Sequence, residues 1–241
     1  MKVFPALPTL LFTLALLPWL GGCGDEPEAA PAPREATAPA TRPAGEAERD
    51  RPRVVFLGDS LTAGYGLEAS QAFPALLAER LANEGLAVEV VNAGVSGDTT
   101  AGGLSRVDWL LRQRPDVLVV GLGGNDGLRG ASVAASEQNL RDIVARAQAA
   151  GADVLLLGML IPPNYGVEYT SAFRDLYPRV AKELAVPLVP FLLEGVGGDP
   201  RLNQGDGIHP TAEGHRILAD NVLPYLRPLV EQNAAVSEAQ P

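Results

Sequence analysis

The sequence predicts an α/β domain, a three-layer α/β/α sandwich built on a five-stranded parallel sheet. Two observations support this prediction. Five short apolar runs recur along the chain, and segments whose apolar residues are three or four positions apart lie between them. Continuous apolar runs are typical of strands that are buried on both faces of a parallel sheet. Alternating strands and helices imply right-handed crossovers, which place helices on both faces of that sheet.

The predicted elements follow one another in one domain, residues 53–230. The five strands are predicted at Val54–Leu57, Val88–Val91, Val117–Val120, Val154–Leu157 and Pro187–Val189. The helices are predicted at 71–84, 132–150, 170–184 and 211–227. In sheets of this kind, ligands bind beyond the carboxyl ends of the strands. The residues that directly follow the strands are therefore the first candidates for chemistry.

Composition excludes several classes of protein. The 241 residues carry a formal net charge of -10, which argues against a nucleic-acid partner because phosphate recognition needs clustered Lys and Arg. A single cysteine excludes an intramolecular disulfide and a cysteine-based metal site. The only histidines are His209 and His215, too few for a site with several imidazole ligands. The hydrophobic content of 46% is that of a globular chain with a packed core.

Residues 1–22 are typical of an export signal. Lys2 provides a positively charged start, and an apolar stretch from Leu10 to Leu20 follows it. A membrane-spanning helix needs about 20 apolar residues, whereas this stretch is shorter and is interrupted by Pro18. A cleaved signal peptide is therefore the better interpretation.

The end of this signal, Leu20-Gly21-Gly22-Cys23, resembles a bacterial lipobox, in which the cysteine is acylated and becomes the mature N-terminus. Several acyl chains anchor a protein stably where a single chain is marginal. We therefore predict an exported protein that is anchored to a bacterial membrane through Cys23 and faces the periplasm or the cell surface. Gly24, in place of an aspartate, favours the outer membrane. The alternative is a cysteine that lies by chance near an ordinary signal-peptidase site.

The segments on either side of the domain are predicted to be disordered. Residues 23–52 are dominated by Ala, Pro and Glu and contain almost no large apolar residue, so they cannot bury enough surface to offset the entropy cost of ordering. We expect them to form an extended tether between the membrane and the domain. Residues 231–241 are predicted to be a disordered tail, and the protein is expected to be a monomer.

Four polar segments adjoin the predicted elements of the domain. They are 58–61 (Gly-Asp-Ser-Leu) after the first strand, 92–98 after the second, 121–126 after the third and 206–210 (Asp-Gly-Ile-His-Pro) before the last helix. A serine, a glycine, an asparagine and a histidine in this order resemble the four sequence blocks of the SGNH (GDSL) hydrolase superfamily. The resemblance covers residues 53–230 and implies the flavodoxin-like SGNH hydrolase fold. Segments 59–66, 94–100, 124–130 and 161–166 are similar to the bacterial thioesterase I, lysophospholipase and arylesterase group.

Three side chains in these blocks suit nucleophilic catalysis. A serine hydroxyl such as that of Ser60 is a weak nucleophile unless a base lies within hydrogen-bond reach. His209 is the candidate base, and Asp206, three residues earlier, can orient its imidazole. The alternatives are a helix-capping role for Ser60, a turn-forming role for Asp206, and a surface or packing role for the second histidine, His215.

The same chemistry requires donors for the oxyanion of a tetrahedral intermediate. The candidates are the backbone N–H groups of Ser60 and Gly94 and the side-chain amide of Asn125. The alternatives are a turn glycine at 94 and a local cap at 125. This chemistry needs no metal ion and no organic cofactor. The other polar residues of these loops, Ser96, Asp98 and Asp126 together with Asp59, are expected to order the backbone.

The segment after the fourth strand is a candidate substrate loop. In the group that the sequence resembles, this region borders the acyl site, which points to Ile161, Pro162, Asn164 and Tyr165, although proline and tyrosine there can equally be loop scaffolding. The predicted function is hydrolysis of carboxylic esters, namely aryl esters, short or medium acyl esters, and lysophospholipids or thioesters. Two alternatives are an envelope carbohydrate O-deacetylase on the same fold and a non-catalytic binding lipoprotein.

Overall fold

The computed structural model describes residues 51–238. The predicted signal peptide, residues 1–22, and the lipidation site Cys23 lie outside the described residues. So do the rest of the predicted tether up to residue 50 and the last three residues of the chain.

A five-stranded sheet forms the centre of the described domain, and all of its strand pairs are parallel. The strands are β1 (Arg53–Gly58), β2 (Glu89–Gly94), β3 (Val117–Gly121), β4 (Asp153–Leu157) and β5 (Leu188–Val189). They lie in the order β2-β1-β3-β4-β5. The predicted five-stranded parallel sheet is confirmed. Because β1 lies between β2 and β3, the loops that follow these three strands meet at one edge of the sheet.

Seven α-helices connect and cover the strands in the described chain. They are α1 (Ser60–Ala63), α2 (Phe73–Asn83), α3 (Thr100–Leu111), α4 (Gly124–Leu128), α5 (Val133–Ala149), α6 (Val167–Glu183) and α7 (Ala212–Glu238). Short 3₁₀ turns occupy Ala69–Gln71 and Pro163–Tyr165. On one face of the sheet α2 packs against α7, and on the other α5 packs between α3 and α6. The three-layer α/β/α prediction is confirmed.

The core is densest at the two central strands. Every residue of β3 is buried, and so is every residue of β1 after Arg53. Phe56 on β1 meets Phe73 at the start of α2 edge to face, with ring centroids 5.7 Å apart. Removing these apolar side chains from water is the main favourable contribution to the stability of the domain.

Helix α3 has no counterpart among the predicted helices. It carries Gly102 and Gly103, and glycine is about 1 kcal/mol less favourable than alanine inside a helix. Tertiary packing explains the glycine at 103, because a Cβ there would lie 2.2 Å from a methyl carbon of Leu122. The helix buries Val107 and Leu110, and Thr99 caps its start by accepting a hydrogen bond from the N–H of Gly102.

The last helix extends beyond the predicted end of the domain. Residues 231–238 belong to α7, so the predicted tail is wrong for this part. The helix continues past Pro224 and Pro228 because tertiary contacts hold its end: Val230 is fully buried, and Asn233 donates a hydrogen bond to Asp153. Among the described helices, including this one of 27 residues, none has both the length and the apolar composition needed to cross a membrane.

The close approach of α3 to the end of β3 gives a stability prediction. Gly103→Val is expected to lower the free energy of unfolding by about 1–3 kcal/mol, because the added atoms overlap Leu122. Ala101→Val on the exposed side of the same helix adds a similar side chain and is expected to cost less than about 1 kcal/mol. Urea denaturation of both variants measures the difference, and equal losses would contradict the packing argument.

Candidate active site

Ser60 lies where the chain leaves the first strand and enters a short helix. β1 ends at Gly58, and Ser60 is the first residue of α1. The carboxylate of Asp59 caps this helix by accepting a hydrogen bond from the N–H of Leu61 at 3.0 Å. Gly94 pairs with Gly58 across the sheet, and a Cβ at Gly94 would lie 2.2 Å from the backbone nitrogen of Ala63. The helix therefore rests directly on the carboxyl ends of the strands, with Ser60 at the sheet edge.

His209 comes from the loop before α7, and this loop is closed by its own hydrogen bonds. The N–H of Gln204 donates to the carbonyl of His209 at 2.7 Å, and Asn203 bridges to Pro210. The side-chain amide of Gln204 also donates to the carbonyl of Tyr65 at 2.7 Å. The histidine loop is thereby attached to the segment that follows Ser60.

The three predicted catalytic side chains meet in one chain of hydrogen bonds. Nε2 of His209 lies 2.9 Å from Oγ of Ser60, although the two residues are 149 positions apart. Nδ1 of His209 lies 2.7 Å from Oδ2 of Asp206. An ionised carboxylate can only accept a hydrogen bond, so Nδ1 of His209 carries a hydrogen and donates a hydrogen bond to Asp206. Nε2 is then free to accept a hydrogen bond from the hydroxyl of Ser60.

Asp206 is in its charged form at physiological pH. The hydrogen bond from His209 and those from the N–H groups of Ile208 and His209 lower the pKa of Asp206 to about 2. The two backbone bonds also fix the carboxylate in place. The ring of Tyr65 covers one face of the imidazole, with centroids 4.5 Å apart. Sequence reasoning missed Tyr65, because its contact with His209 depends on the fold and not on sequence spacing.

A cleft of about 670 Å³ opens above these side chains. Its floor includes Ser60, Asn125 and His209. Its walls are mainly apolar and come from several loops: Leu128, Met159, Leu160, Ile161, Pro162, Phe191, Leu193 and Ile208. Such a cleft can hold an acyl or aryl group next to a hydroxyl nucleophile.

The predicted substrate loop is only partly in this cleft. Ile161 and Pro162 line it, whereas Asn164 and Tyr165 are not among its lining residues. The hydroxyl of Tyr165 donates to the carbonyl of Leu128 at 2.8 Å, which makes Tyr165 part of the scaffold of the wall. For Asn164 and Tyr165, substrate contact stays a prediction.

The prediction that Gly94 is an oxyanion donor is wrong. Its N–H already donates to the side-chain oxygen of Asn92 at 3.0 Å, and Gly94 does not line the cleft. It is the last residue of β2, where the missing side chain admits α1. Gly97, three residues on, does line the cleft, and its N–H makes no hydrogen bond within the described part of the chain. Its φ of 81° suits glycine.

Asn125 lies at the start of α4 with its side chain at the cleft. Its amide donates to the carbonyl of Asp98 at 2.9 Å and to Oδ2 of Asp59 at 3.3 Å. Burial raises the pKa of Asp59 to about 6. The long contact to Asp59 leaves one N–H of Asn125 only weakly engaged.

Two of the other aspartates in these loops accept hydrogen bonds from the backbone, Asp98 from the N–H of Thr99 at 3.0 Å and Asp126 from Thr100. Asp126 accepts hydrogen bonds from both the N–H and the hydroxyl of Thr100, at 2.9 and 2.6 Å. His215 is buried on α7, where its Nδ1 accepts the N–H of Phe73 at 3.1 Å. Within residues 51–238, no group of three or more His, Cys, Asp or Glu side chains is placed to hold a metal ion.

The fold and this grouping of side chains are those of the SGNH class of α/β hydrolases. The comparisons agree: the chain belongs to the GDSL-like lipase/acylhydrolase family, which matches residues 56–217. It is therefore a carboxylic ester hydrolase, and the expected superfamily is confirmed.

Three curated relatives are similar over the described domain. Esterase TesA of Pseudomonas aeruginosa is 50% identical over 178 residues, 73% of this chain and 89% of that protein. Thioesterase 1/protease 1/lysophospholipase L1 of Escherichia coli K12 is 45% identical over 75% of this chain and 86% of its own length. The arylesterase of Vibrio mimicus is 39% identical over 72% and 88%. A crystal structure of TesA superposes with a TM-score of 0.72 at 50% identity, over 73% of this chain and 99% of that one.

The buried histidine gives a prediction for pH dependence. Burial, aided by the nearby His209, lowers the pKa of His215 from 6.5 to about 4. Between these values the folded state binds fewer protons than the unfolded chain, so the free energy of unfolding falls as the pH falls through this range, by up to about 3 kcal/mol. The variant His215→Asn keeps an acceptor for the N–H of Phe73 and does not titrate.

Chemical denaturation at pH 7 and pH 4.5 tests this prediction. The stability of the parent is expected to fall more between the two values than that of His215→Asn, whatever constant difference separates the proteins at pH 7. An identical pH dependence in both would show that His215 is not the group responsible.

Proposed function

We propose that Ser60 is the nucleophile of this esterase, that His209 is its general base and that Asp206 orients the imidazole. The observation that carries the proposal is the continuous chain Ser60 Oγ, His209 Nε2, His209 Nδ1 and Asp206 Oδ2, with contacts of 2.9 and 2.7 Å. The proposal is supported because a hydroxyl within hydrogen-bond reach of an oriented imidazole is the arrangement that activates a serine, and both side chains line an apolar cleft.

The reaction then proceeds in two steps. Oγ of Ser60 bonds to the carbonyl carbon of the ester while its proton moves to Nε2 of His209, and the charged carboxylate of Asp206 stabilises the imidazolium. The tetrahedral intermediate collapses, and the leaving alcohol or thiol takes the proton from His209. Water then adds to the carbonyl carbon of the acyl-enzyme while His209 takes its proton. The bond between this carbon and Oγ breaks, the acid leaves, and the proton of His209 returns to Oγ of Ser60.

The oxyanion of each intermediate needs donors directed at it. We propose the N–H groups of Ser60 and Gly97 and the side-chain amide of Asn125. All three residues line the cleft. The 3.3 Å contact of Asn125 with Asp59 is its weaker one, and the oxyanion is the stronger acceptor that replaces it.

The substrates that this site fits best are aryl esters and short or medium acyl esters, with lysophospholipids or thioesters as further members. Apolar walls suit an acyl chain, and the named relatives are an esterase, a thioesterase/lysophospholipase and an arylesterase. No observation favours acetyl-only specificity, which the O-deacetylase alternative requires.

Replacing the nucleophile tests the proposal. Ser60→Ala is expected to lower kcat at least about 10⁴-fold, because the residual rate comes only from binding and the oxyanion donors. Ser96→Ala removes a second hydroxyl that lines the same cleft and is expected to keep kcat within a few-fold. Rates on a chain-length series of 4-nitrophenyl esters and on lysophosphatidylcholine measure both variants.

Two results would overturn the assignment. Equal loss in the two variants would mean that removal of either hydroxyl from the cleft inactivates the enzyme, and an active Ser60→Ala would exclude Ser60 as nucleophile. Labelling with a fluorophosphonate, followed by mass spectrometry of the modified peptide, then identifies the reactive serine directly.

We propose that the protein is exported and anchored to a bacterial membrane through lipid on Cys23. The support is in the sequence: an apolar signal-like stretch leads into Leu20-Gly21-Gly22-Cys23, and this position holds the only cysteine of the chain. Several acyl chains at one N-terminus give stable anchoring. The enzyme then meets esters or lysolipids at the cell envelope, the outer membrane being the favoured location.

Substitution of the cysteine tests the anchor. Full-length protein expressed in a bacterial host with radiolabelled palmitate is expected to incorporate label and to sediment with membranes, whereas Cys23→Ser incorporates none. Esterase activity of the released variant is expected to match the parent, since the cysteine lies outside the hydrolase domain. Absence of radiolabel from the parent protein would exclude lipidation.

A further inference from the structure

A shielded ion pair lies beside the cleft and has no part in the proposed reaction. Arg106 projects from α3, and its side chain is 22% exposed, while that of Asp98 is only 10% exposed. Both Nε and Nη2 of Arg106 lie 2.8 Å from the same oxygen, Oδ2 of Asp98. The carboxylate thus receives two charge-assisted contacts from one guanidinium.

The guanidinium also holds the ends of two strands. Its Nη1 donates to the carbonyl of Ala93 on β2 at 2.7 Å, and its Nη2 donates to the carbonyl of Gly58, the last residue of β1, at 2.9 Å. Arg106 therefore joins three points: the strand that leads to Ser60, the strand that leads to the next loop, and Asp98 at the far end of that loop.

Both proposed oxyanion donors other than Ser60 depend on these points. Gly97 lies in the loop between Ala93 and Asp98, both of which are held by Arg106. The carbonyl of Asp98 accepts the amide of Asn125 at 2.9 Å. A shift of Asp98 would move the N–H of its neighbour Gly97 and the side chain of Asn125 together.

We propose that Arg106, acting through Asp98, is a positioning residue for the oxyanion hole. The inference rests on the proposed roles of Gly97 and Asn125. Stability alone is a weak reason for such a pair, because removing a guanidinium from water is costly and apolar replacements of shielded ion pairs are often neutral or stabilising. The planar guanidinium of Arg106 binds three separate acceptors at once and thereby holds the loop after β2 in a single conformation.

The expected effect is on the rate and not on substrate binding. Arg106→Met is expected to lower kcat about 10- to 100-fold with KM changed less than about threefold, since displaced donors weaken stabilisation of the transition state. Arg106→Lys retains the charge but cannot reach all three acceptors, so it is expected to recover only part of the rate. Asn125→Ala, which removes a donor outright, sets the scale at about 10²- to 10³-fold.

An exposed ion pair provides a matched control. Arg146 on α5 pairs with Asp108 on α3, so Arg146→Met removes a surface ion pair and is expected to leave kcat unchanged. The second measurement is the inhibition constant of a trifluoromethyl ketone, which forms an oxyanion adduct with the serine. Its loss of affinity in Arg106→Met is expected to parallel the fall in kcat/KM, with active sites counted by complete fluorophosphonate labelling.

Three outcomes would overturn the inference: an Arg106→Met enzyme with unchanged kcat per active site, a rise in KM alone, or a ketone affinity that stays at the parent value while kcat falls. If Arg106→Met does not fold, full activity of Arg106→Lys overturns it equally. Failure of the proposed function is seen separately, as an active Ser60→Ala or an inactive parent protein.

Discussion

The active site depends on how closely α1 can approach the carboxyl ends of β1 and β2. Gly58 and Gly94 lie opposite each other in the parallel register, and a Cβ at Gly58 would lie 1.9 Å from Oγ1 of Thr62 in the helix that begins with Ser60. A Cβ at Gly94 would overlap the backbone of Ala63, which cannot move without lifting the whole turn. The same parallel register brings the loops after β1, β2 and β3 to one edge. The positions of the serine and of the proposed oxyanion donors follow from this packing.

Two aspartates near Ser60 have opposite environments, and only Asp206 is hydrogen-bonded to the histidine. Burial raises the pKa of Asp59 to about 6, whereas hydrogen bonds from His209 and the adjacent backbone lower that of Asp206 to about 2. Only Asp206 carries a full charge throughout the range in which an imidazole titrates, so it can stabilise the imidazolium. Asp59 caps α1 and contacts Asn125, which makes it part of the scaffold.

Sequence alone predicted the sheet, four of the five helices longer than ten residues and the Ser60, His209 and Asp206 grouping, because apolar periodicity and the short motifs can be recognised in the sequence. The errors of the sequence-based prediction arise where local patterns give the wrong boundary or where tertiary contacts outweigh local propensity. β2 was predicted to end at Val91 but runs to Gly94, and this shift of three residues assigned a strand glycine to the oxyanion hole in place of Gly97. α3 and the end of α7 exist through tertiary contacts that overcome glycine and proline.

The proposed catalytic groups and the walls of the cleft come from different parts of the chain, which separates the proposed chemistry from substrate preference. Ser60, Gly97 and Asn125 follow β1, β2 and β3, where hydrogen bonds to strand ends and neighbouring loops fix their positions. The apolar walls come mainly from residues 159–163 after β4, 191–193 after β5, and Ile208. Apolar wall contacts are less directional than hydrogen bonds, so substitutions there can reshape the acyl site without moving the nucleophile. The relatives that are 39–50% identical to this chain carry the names esterase, thioesterase/lysophospholipase and arylesterase, and a change in the walls alone is enough to alter which esters such a cleft admits.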